Sequence, residues 1–556
     1  MNRKLCFIAV LGAAVAFSSC SKKLGQFKSD YFSVNPNPLE VVGEKVPATV
    51  TARVPQKFFV KNAEVTVTPY LVFNGTEVAS QSYSFQGEKV RGNNPVISYE
   101  NGGTVTIPVG YVYQPEMNQS VLELAFTVNQ GSKQYVLPRV QVATGVVSTA
   151  ALATAATVDP AIAPDKFQRV INEKYAADIM FLINRANIRA GQLKTNAMDE
   201  LRKEILETSG NASRELKEIN VNSYASPEGP EAWNTELAQD REKNTVNYIE
   251  KQLKKDNITE FGELTKHFTA EDWEGFKELV SKSNIQDKDL ILSVLSMYKD
   301  PEQREKEIRN LSNVFEVLAE EILPQLRYSR ITASIDVIGK SDAEIQELFK
   351  TNPKALSIDE ILYCATLTDN DAERLKIYDT AARIYPNDYR TWNNLGVVQY
   401  ETGDYKAAQA NFQKALSLNA NCAEAKMNMG LISVLDKDLT KANQYFGQAG
   451  ADGLNDALGI YYLKMGDNAS AARAFGDSKT NNAALAQILT KDYSKAKNTL
   501  AAISKPDATT YYLMAVLGAR TNNESMVTSN LKKAVSLDPS MAKLAAEDLE
   551  FANFNV

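Results

Sequence analysis

Reactive side chains are few in this chain and far apart. The single histidine, His267, leaves no second imidazole for a Ser-His-Asp relay or a multi-histidine metal site. Four cysteines stand at positions 6, 20, 364 and 422, with no C-x-x-C pair. Cys364 and Cys422 sit in helical surroundings and read as small core residues. No phosphate-loop motif is present. These absences argue against an enzyme, a cofactor or a bound metal. What remains is recognition chemistry. Arg241 follows the polar turn Ser226-Pro227-Glu228-Gly229, and its planar fork suits a bidentate carboxylate. Asn394 and Asn428 lie one 34-residue period apart, and each amide can donate and accept at once, as reading an extended peptide backbone requires.

The elements that position Arg241 are a strand, a turn and a helix. Val221 to Tyr224 is short and β-prone. Pro227 and Gly229 punctuate the turn. A helix follows from Pro230, with Trp233, Leu237, Arg241, Thr245 and Tyr248 at three- and four-residue spacing. Backbone N–H groups at its start can hold an anion.

With 556 residues, 44% hydrophobic and 23% charged, the chain has room for several ordinary globular domains. A net charge of −7 without a long basic run argues against nucleic acid as a partner. Arg3 and Lys4, the apolar run Leu5–Phe17 and Ser18-Ser19-Cys20 have the form of a signal peptide, residues 1–19. Its apolar run is too short to span a bilayer. The small residues before Cys20 resemble a bacterial lipobox. That resemblance implies lipidation at Cys20, a lipidated tether over 20–34 and the outer membrane as location. Ser21-Lys22-Lys23 is basic where a surface-export signal would be acidic, which implies the periplasmic face.

From 35 to 145 the pattern alternates. Val65, Val67, Leu71 and Phe73 point one way, and Asn74-Gly75 marks a hairpin turn. A second hairpin is expected across Asn101-Gly102-Gly103, between Val96–Tyr99 and Thr104–Tyr113. A third is expected across Asn129-Gln130-Gly131. About seven strands at this spacing predict an immunoglobulin-like β-sandwich. Residues 146–165, rich in small residues and proline, read as a linker.

Asn234, Leu237 and Arg241 match the signature of the OmpA-like peptidoglycan-binding domain, and the YASPEG turn resembles its Bacteroidota-type branch. The resemblance spans residues 166–345 and implies an α+β fold, with a helical insertion at about 260–311. It implies a peptidoglycan stem peptide as ligand, Arg241 taking a carboxylate and Asn234 belonging to the same signature. The family's turn aspartate, which takes the ammonium, falls here on Ser226, and Glu228 can substitute two residues on. The alternative is an internal salt bridge from Arg241, for example to Glu228 or Asp240.

Residues 346–556 predict an α-solenoid. Trp392, Leu395, Gly396, Gly403-Asp404-Tyr405, Ala408, Phe412 and Ala415 follow the tetratricopeptide pattern. Ala381, Ala415 and Ala449 recur at the period, as do Phe412 and Phe446. About six units are expected, starting with a weak copy over Ile358–Pro386, and their concave face implies protein partners. A partner segment is expected along Asn394, Tyr400, Asn428 and Leu431. Asn393 and Val397 stand where some members carry a basic carboxylate clamp. The implied function is a periplasm-facing outer-membrane lipoprotein that tethers the membrane to peptidoglycan and scaffolds partners. The alternative is a non-tethering assembly subunit of an outer-membrane secretion or insertion complex.

Overall fold

The computed structural model describes residues 23–555, apart from 260, 287 and 311. The signal peptide and the lipidation site expected at Cys20 lie outside the described residues. No helix among the described residues is long and apolar enough to cross a membrane. The described residues form two compact units: those up to 164 together with those from 368 onward, and residues 165–367.

Two sheets lead the first unit. One has three antiparallel strands, Phe32–Asn35, Lys45–Val54 and Gly103–Val112, with Lys45–Val54 in the middle. The other has six, built around Ala63–Phe73 and Val121–Gln130. Strict alternation puts Val46, Val50, Val65, Val67, Ile107, Leu124 and Phe126 into one core shared by the two sheets. Asn74 and Gly75 both take positive φ, 50° and 72°, as a two-residue turn between paired strands requires. The hairpin expected across residues 101–103 is reduced to a single antiparallel bridge, Ser98 with Gly102. Val96–Ile97 pairs in parallel with Gln86–Gly87, while Gly103–Val112 joins the other sheet. The described part of the expected lipidated tether, 20–34, is docked, because its apolar side chains have a core to enter. Leu24 and Phe27 are buried, and Phe27 stacks on Phe126 at 4.5 Å.

The second unit has a four-stranded sheet in the order Val170–Met180, Tyr328–Ile338, Arg214–Tyr224, Glu263–Thr269. Helices Asn196–Leu206 and Glu231–Lys255 contribute Leu201, Ile205, Ile249 and Leu253 to a core with Ile179, Val221, Ile331 and Ile335. The expected helical insertion begins later than residue 260. Glu263–Thr269 is a strand, parallel to Glu218–Tyr224, and the inserted helices run from Trp273 to Glu321 around Phe276, Val280, Ile291 and Leu318. Helices Asp342–Thr351 and Ile358–Cys364 belong to this unit, so the repeat helices start at Asp371, later than the weak copy at 358–386 implies.

From Asp371 to Glu547 the chain is a run of antiparallel helix pairs. Gly396 lets the ring of Phe412 approach so closely that a Cβ there would lie 2.7 Å from it, and Gly430 faces Phe446 in the same way. Asp404, Asp438, Asp467 and Asp492 each cap the second helix of a pair, accepting from the backbone N–H three residues on.

The expected linker 146–165 is not a free connection. Residues 153–163 run inside the repeat groove as a strap with one 3-10 turn, Ala155–Thr157, and Ala153, Ala155, Val158 and Ala161 join the repeat core. The chain end adds a second weld. Glu550 accepts from Thr149 Oγ1 at 2.5 Å and pairs with Arg520.

Candidate functional site

Two sets of side chains were singled out by type and spacing, and each is built into a different unit. The groove set starts with helices Tyr389–Glu401 and Ala423–Leu435. Asn394, Asn428 and Asn482 each stand two residues before a small residue, Gly396, Gly430 or Ala484, and so project from matching points of three units; the unit between the last two, with helix Leu454–Met465, has Ala457 at that point. Asn428 Oδ1 accepts from Ala161 N at 2.7 Å, and its Nδ2 donates to Ala161 O at 2.8 Å. Asn394 does the same for Ala163, at 2.8 and 2.9 Å. Asn482 holds Thr154 through the same pair of bonds, at 3.2 and 2.8 Å. Tyr400 Oη donates to Ala155 O at 2.5 Å, and burial pushes its pKa up. Asn393 Nδ2 donates to Ala161 O at 3.0 Å, and Asn428 Nδ2 donates to Asn393 Oδ1.

The strap runs opposite to the order of the repeats, with one tight amide contact every two residues where the 34-residue period is kept. Its inward positions, Ala153, Ala155, Val158, Pro160, Ala161 and Ala163, are small or medium and uncharged; Asp159 and Ile162 face outward. Only backbone groups are read, apart from Thr157 Oγ1, which accepts from Asn482 at 3.3 Å. Asn393, Asn394 and Asn428 are at most 1% exposed. The residues expected to touch a partner thus touch the chain itself. Leu431 is buried in the same core. Asn393 and Asn482, absent from the expected set, complete the ladder. Asn482 carried a signal in its place before Ala484, but the shortened spacing of the later units obscured it.

The second set surrounds Arg241. The helix Glu231–Lys255 turns its guanidinium inward, where it is fully buried. Nε donates to Arg185 O at 3.1 Å, Nη1 to Tyr224 O at 2.7 Å and Nη2 to Leu182 O at 3.3 Å. The Phe181 ring lies 5.0 Å from its charge. Burial, with Arg327 nearby, pulls the Arg241 pKa down to about 10, and Glu228 acts in the opposite direction. Neither alternative partner, Glu228 or Asp240, pairs with it. Glu228 instead forms a bidentate pair with Arg327, at 2.8 and 2.9 Å, and accepts from Ser226 Oγ at 2.6 Å. Ser226 is itself buried.

The inserted helices hold this turn from outside. Arg309 Nη2 donates to Glu228 O at 2.6 Å. Asn234 Nδ2 donates to Gly229 O and to Glu271 Oε1, and Trp273 Nε1 donates to Glu271 Oε2 at 2.8 Å. Burial raises the Glu271 pKa, and these two donors oppose the rise. The cavity that Pro227 shares with Trp273, Phe276 and Ile308 is about 10 Å³, room for one water at most. Arg241, Asn234, Ser226 and Glu228 are therefore brought together, but into a network closed on itself. Arg327, Arg309 and Glu271 are the members that sequence reasoning missed.

A tetratricopeptide repeat family model matches residues 389–422. With the 34-residue period, this identifies the C-terminal helices as tetratricopeptide repeats. Among curated proteins the chain is 25% identical over 173 residues to anaphase-promoting complex subunit 3 of Schizosaccharomyces pombe, which covers 31% of this chain and 23% of that protein. The chain thus spans less than a quarter of that relative's length. Solved structures with similar helices include a tetratricopeptide repeat protein from Parabacteroides merdae, at 15% identity, covering 37% of this chain and 91% of that one with a TM-score of 0.30. Another is PilF of Pseudomonas aeruginosa, at 18% identity, 38% and 99% coverage and a TM-score of 0.29.

Proposed function

We propose that this chain is a periplasm-facing outer-membrane lipoprotein, anchored through Cys20, that serves as an assembly scaffold for protein partners without gripping peptidoglycan through its arginine turn. Tetratricopeptide repeats present extended surfaces to other proteins, which supports the scaffold role. The anchor and its orientation rest on the leader and Ser21-Lys22-Lys23. The observation that carries the non-tethering part is the closure of the OmpA-like signature residues. Arg241 is fully buried and gives three of its five N–H groups to backbone carbonyls, and Glu228 is taken by Arg327. A stem peptide would have to break both sets before it gained a contact.

One observation favours a second reading, the wall tether. Among the described residues no carboxylate pairs with Arg241, so a buried cation stands without an anion. A single preparation separates the two readings. Full-length protein from crosslinked outer membranes is analysed both for co-purified proteins and for muropeptides, and the purified chain is then mixed with sacculi. The scaffold reading expects protein partners and no sedimentation with sacculi. Sedimentation that Arg241→Lys abolishes would establish the tether instead.

A further inference from the structure

We propose that the repeat groove is a peptide site held shut by the chain's own residues 153–163, and that the segment able to open it belongs to a protein partner, is free of regular structure apart from one short turn, and is small and uncharged at its inward positions. The proposal rests on the scaffold reading of the repeats and names the chemistry of what they take.

The strap itself is the template. Asn394, Asn428 and Asn482 each hold both the N–H and the C=O of one strap residue, and Tyr400 holds a further carbonyl. Such bonds read a backbone, and any extended segment offers the same groups. Side chains are selected only by size. Ala163 is fully buried and Ala161 is 7% exposed, so a branched or charged residue at either position has no place to go. Nothing in these bonds requires the ligand to be covalently attached. Attachment matters through concentration: a tethered segment competes at roughly millimolar levels, so a partner segment of equal fit is excluded until its own local concentration is comparable. Co-anchoring on one membrane surface supplies such a concentration. The strap would therefore limit recruitment to partners held close by.

The test needs neither a membrane nor a known partner, so its failure leaves the scaffold reading standing, and a failed co-purification leaves this test intact. A labelled synthetic peptide with the sequence of residues 152–164 is titrated into the full chain and into a variant carrying Ala161→Asp and Ala163→Asp, which cannot seat its own strap. The variant should bind the peptide at least tenfold more tightly than the wild type. Adding Asn394→Ala and Asn428→Ala should remove that binding, and so should leucine at peptide positions 161 and 163. Equal binding, or none, by a folded variant would overturn the proposal. Hydrogen exchange on the wild type decides the matter if the variant does not fold. The strap amides of Ala161 and Ala163 should exchange at least tenfold faster than the core amides of helix Tyr389–Glu401. Exchange at the same rate would mean that the strap leaves only when the repeats unfold, and would overturn the proposal. A dimer of the wild-type chain that the peptide dissociates would make a second copy the occupant, and would equally overturn the partner assignment.

Discussion

The amide groove and the arginine turn solve the same problem with different chemistry. Each takes side chains of the type that grips a ligand and applies them to the chain's own backbone. In the groove the holders are neutral, and every amide both gives and accepts. In the turn the holder is a cation that only gives, spread over three carbonyls from two segments. A neutral amide ladder can be vacated and refilled with little change in electrostatics. A buried guanidinium cannot, because any rearrangement must keep its charge solvated. The groove is therefore the place where exchange with a partner is affordable to the fold, and the turn is the place where rigidity is expected.

Breaking the turn should give the largest effect. Arg241→Met keeps most of the side-chain volume but strips the donors from the carbonyls of Leu182, Tyr224 and Arg185. Leu182 O keeps the Arg185 N–H, so the loss falls on the carbonyls of Tyr224 and Arg185. A carbonyl left without a partner costs about 1–3 kcal/mol, and relief of the buried charge offsets part of the sum. A net loss of about 3 kcal/mol is expected, lowering the melting temperature of unit 165–367 by roughly 10 °C for a domain of this size. Differential scanning calorimetry measures it. A variant that melts with the wild type while losing affinity for sacculi would dissolve the contrast, since Arg241 would then serve a ligand.

Breaking the groove should cost less. Asn428→Ala removes both partners of Ala161 that this amide supplies, leaving Asn393 to hold the carbonyl alone. The strap N–H is then buried and unpaired, at about 2 kcal/mol. Exchange of the strap amides should rise roughly thirtyfold by mass spectrometry, while the helices keep their protection, because sub-global opening is read separately from global unfolding. Helices and strap losing protection together would show that the groove is as rigid as the turn.

These effects separate what the sequence could reveal from what it could not. The repeats were legible because Ala408 and Ala442, and Phe412 and Phe446, recur at 34 residues, and a periodic contact leaves a periodic trace. The end of the strand Arg214–Tyr224, from Val221, was legible from β-prone residue types, and the helix after it from three- and four-residue spacing. Glu263–Thr269 was not. As an edge strand it buries no residue fully, and ELTKHFT carries little alternation. The strap was invisible for a different reason. Its bonds come from side chains more than 200 residues away, so small residues and prolines that fit a groove look the same as those that fit a linker. The chemistry of Asn394 and Asn428 could be named from residue type and period, but the backbone they hold could not. At the turn, Arg327 was the hidden partner. It stands 99 residues from Glu228, at the foot of a strand whose pattern says nothing about ion pairs.

The smallest expected effect tests whether the groove is a ladder of independent rungs. Asn393 is as buried as Asn428 and donates to the same carbonyl, that of Ala161. A carbonyl has two lone pairs, so losing one donor still leaves it satisfied. Asn393→Ala takes nothing from the Ala161 N–H, which Asn428 Oδ1 continues to accept. What is lost is the acceptor for the second proton of Asn428 Nδ2 and one donor to Asn394 Oδ1. Both groups keep a strap contact, so the change should be about 1 kcal/mol, with strap exchange rising roughly fivefold. Affinity of the strap-free chain for the 152–164 peptide should fall by the same factor. If Asn393→Ala instead matches or exceeds Asn428→Ala, the rungs are not independent. Asn393 would then be the residue that sets the orientation of both neighbouring amides, and the ladder would be a cooperative network as rigid as the arginine turn.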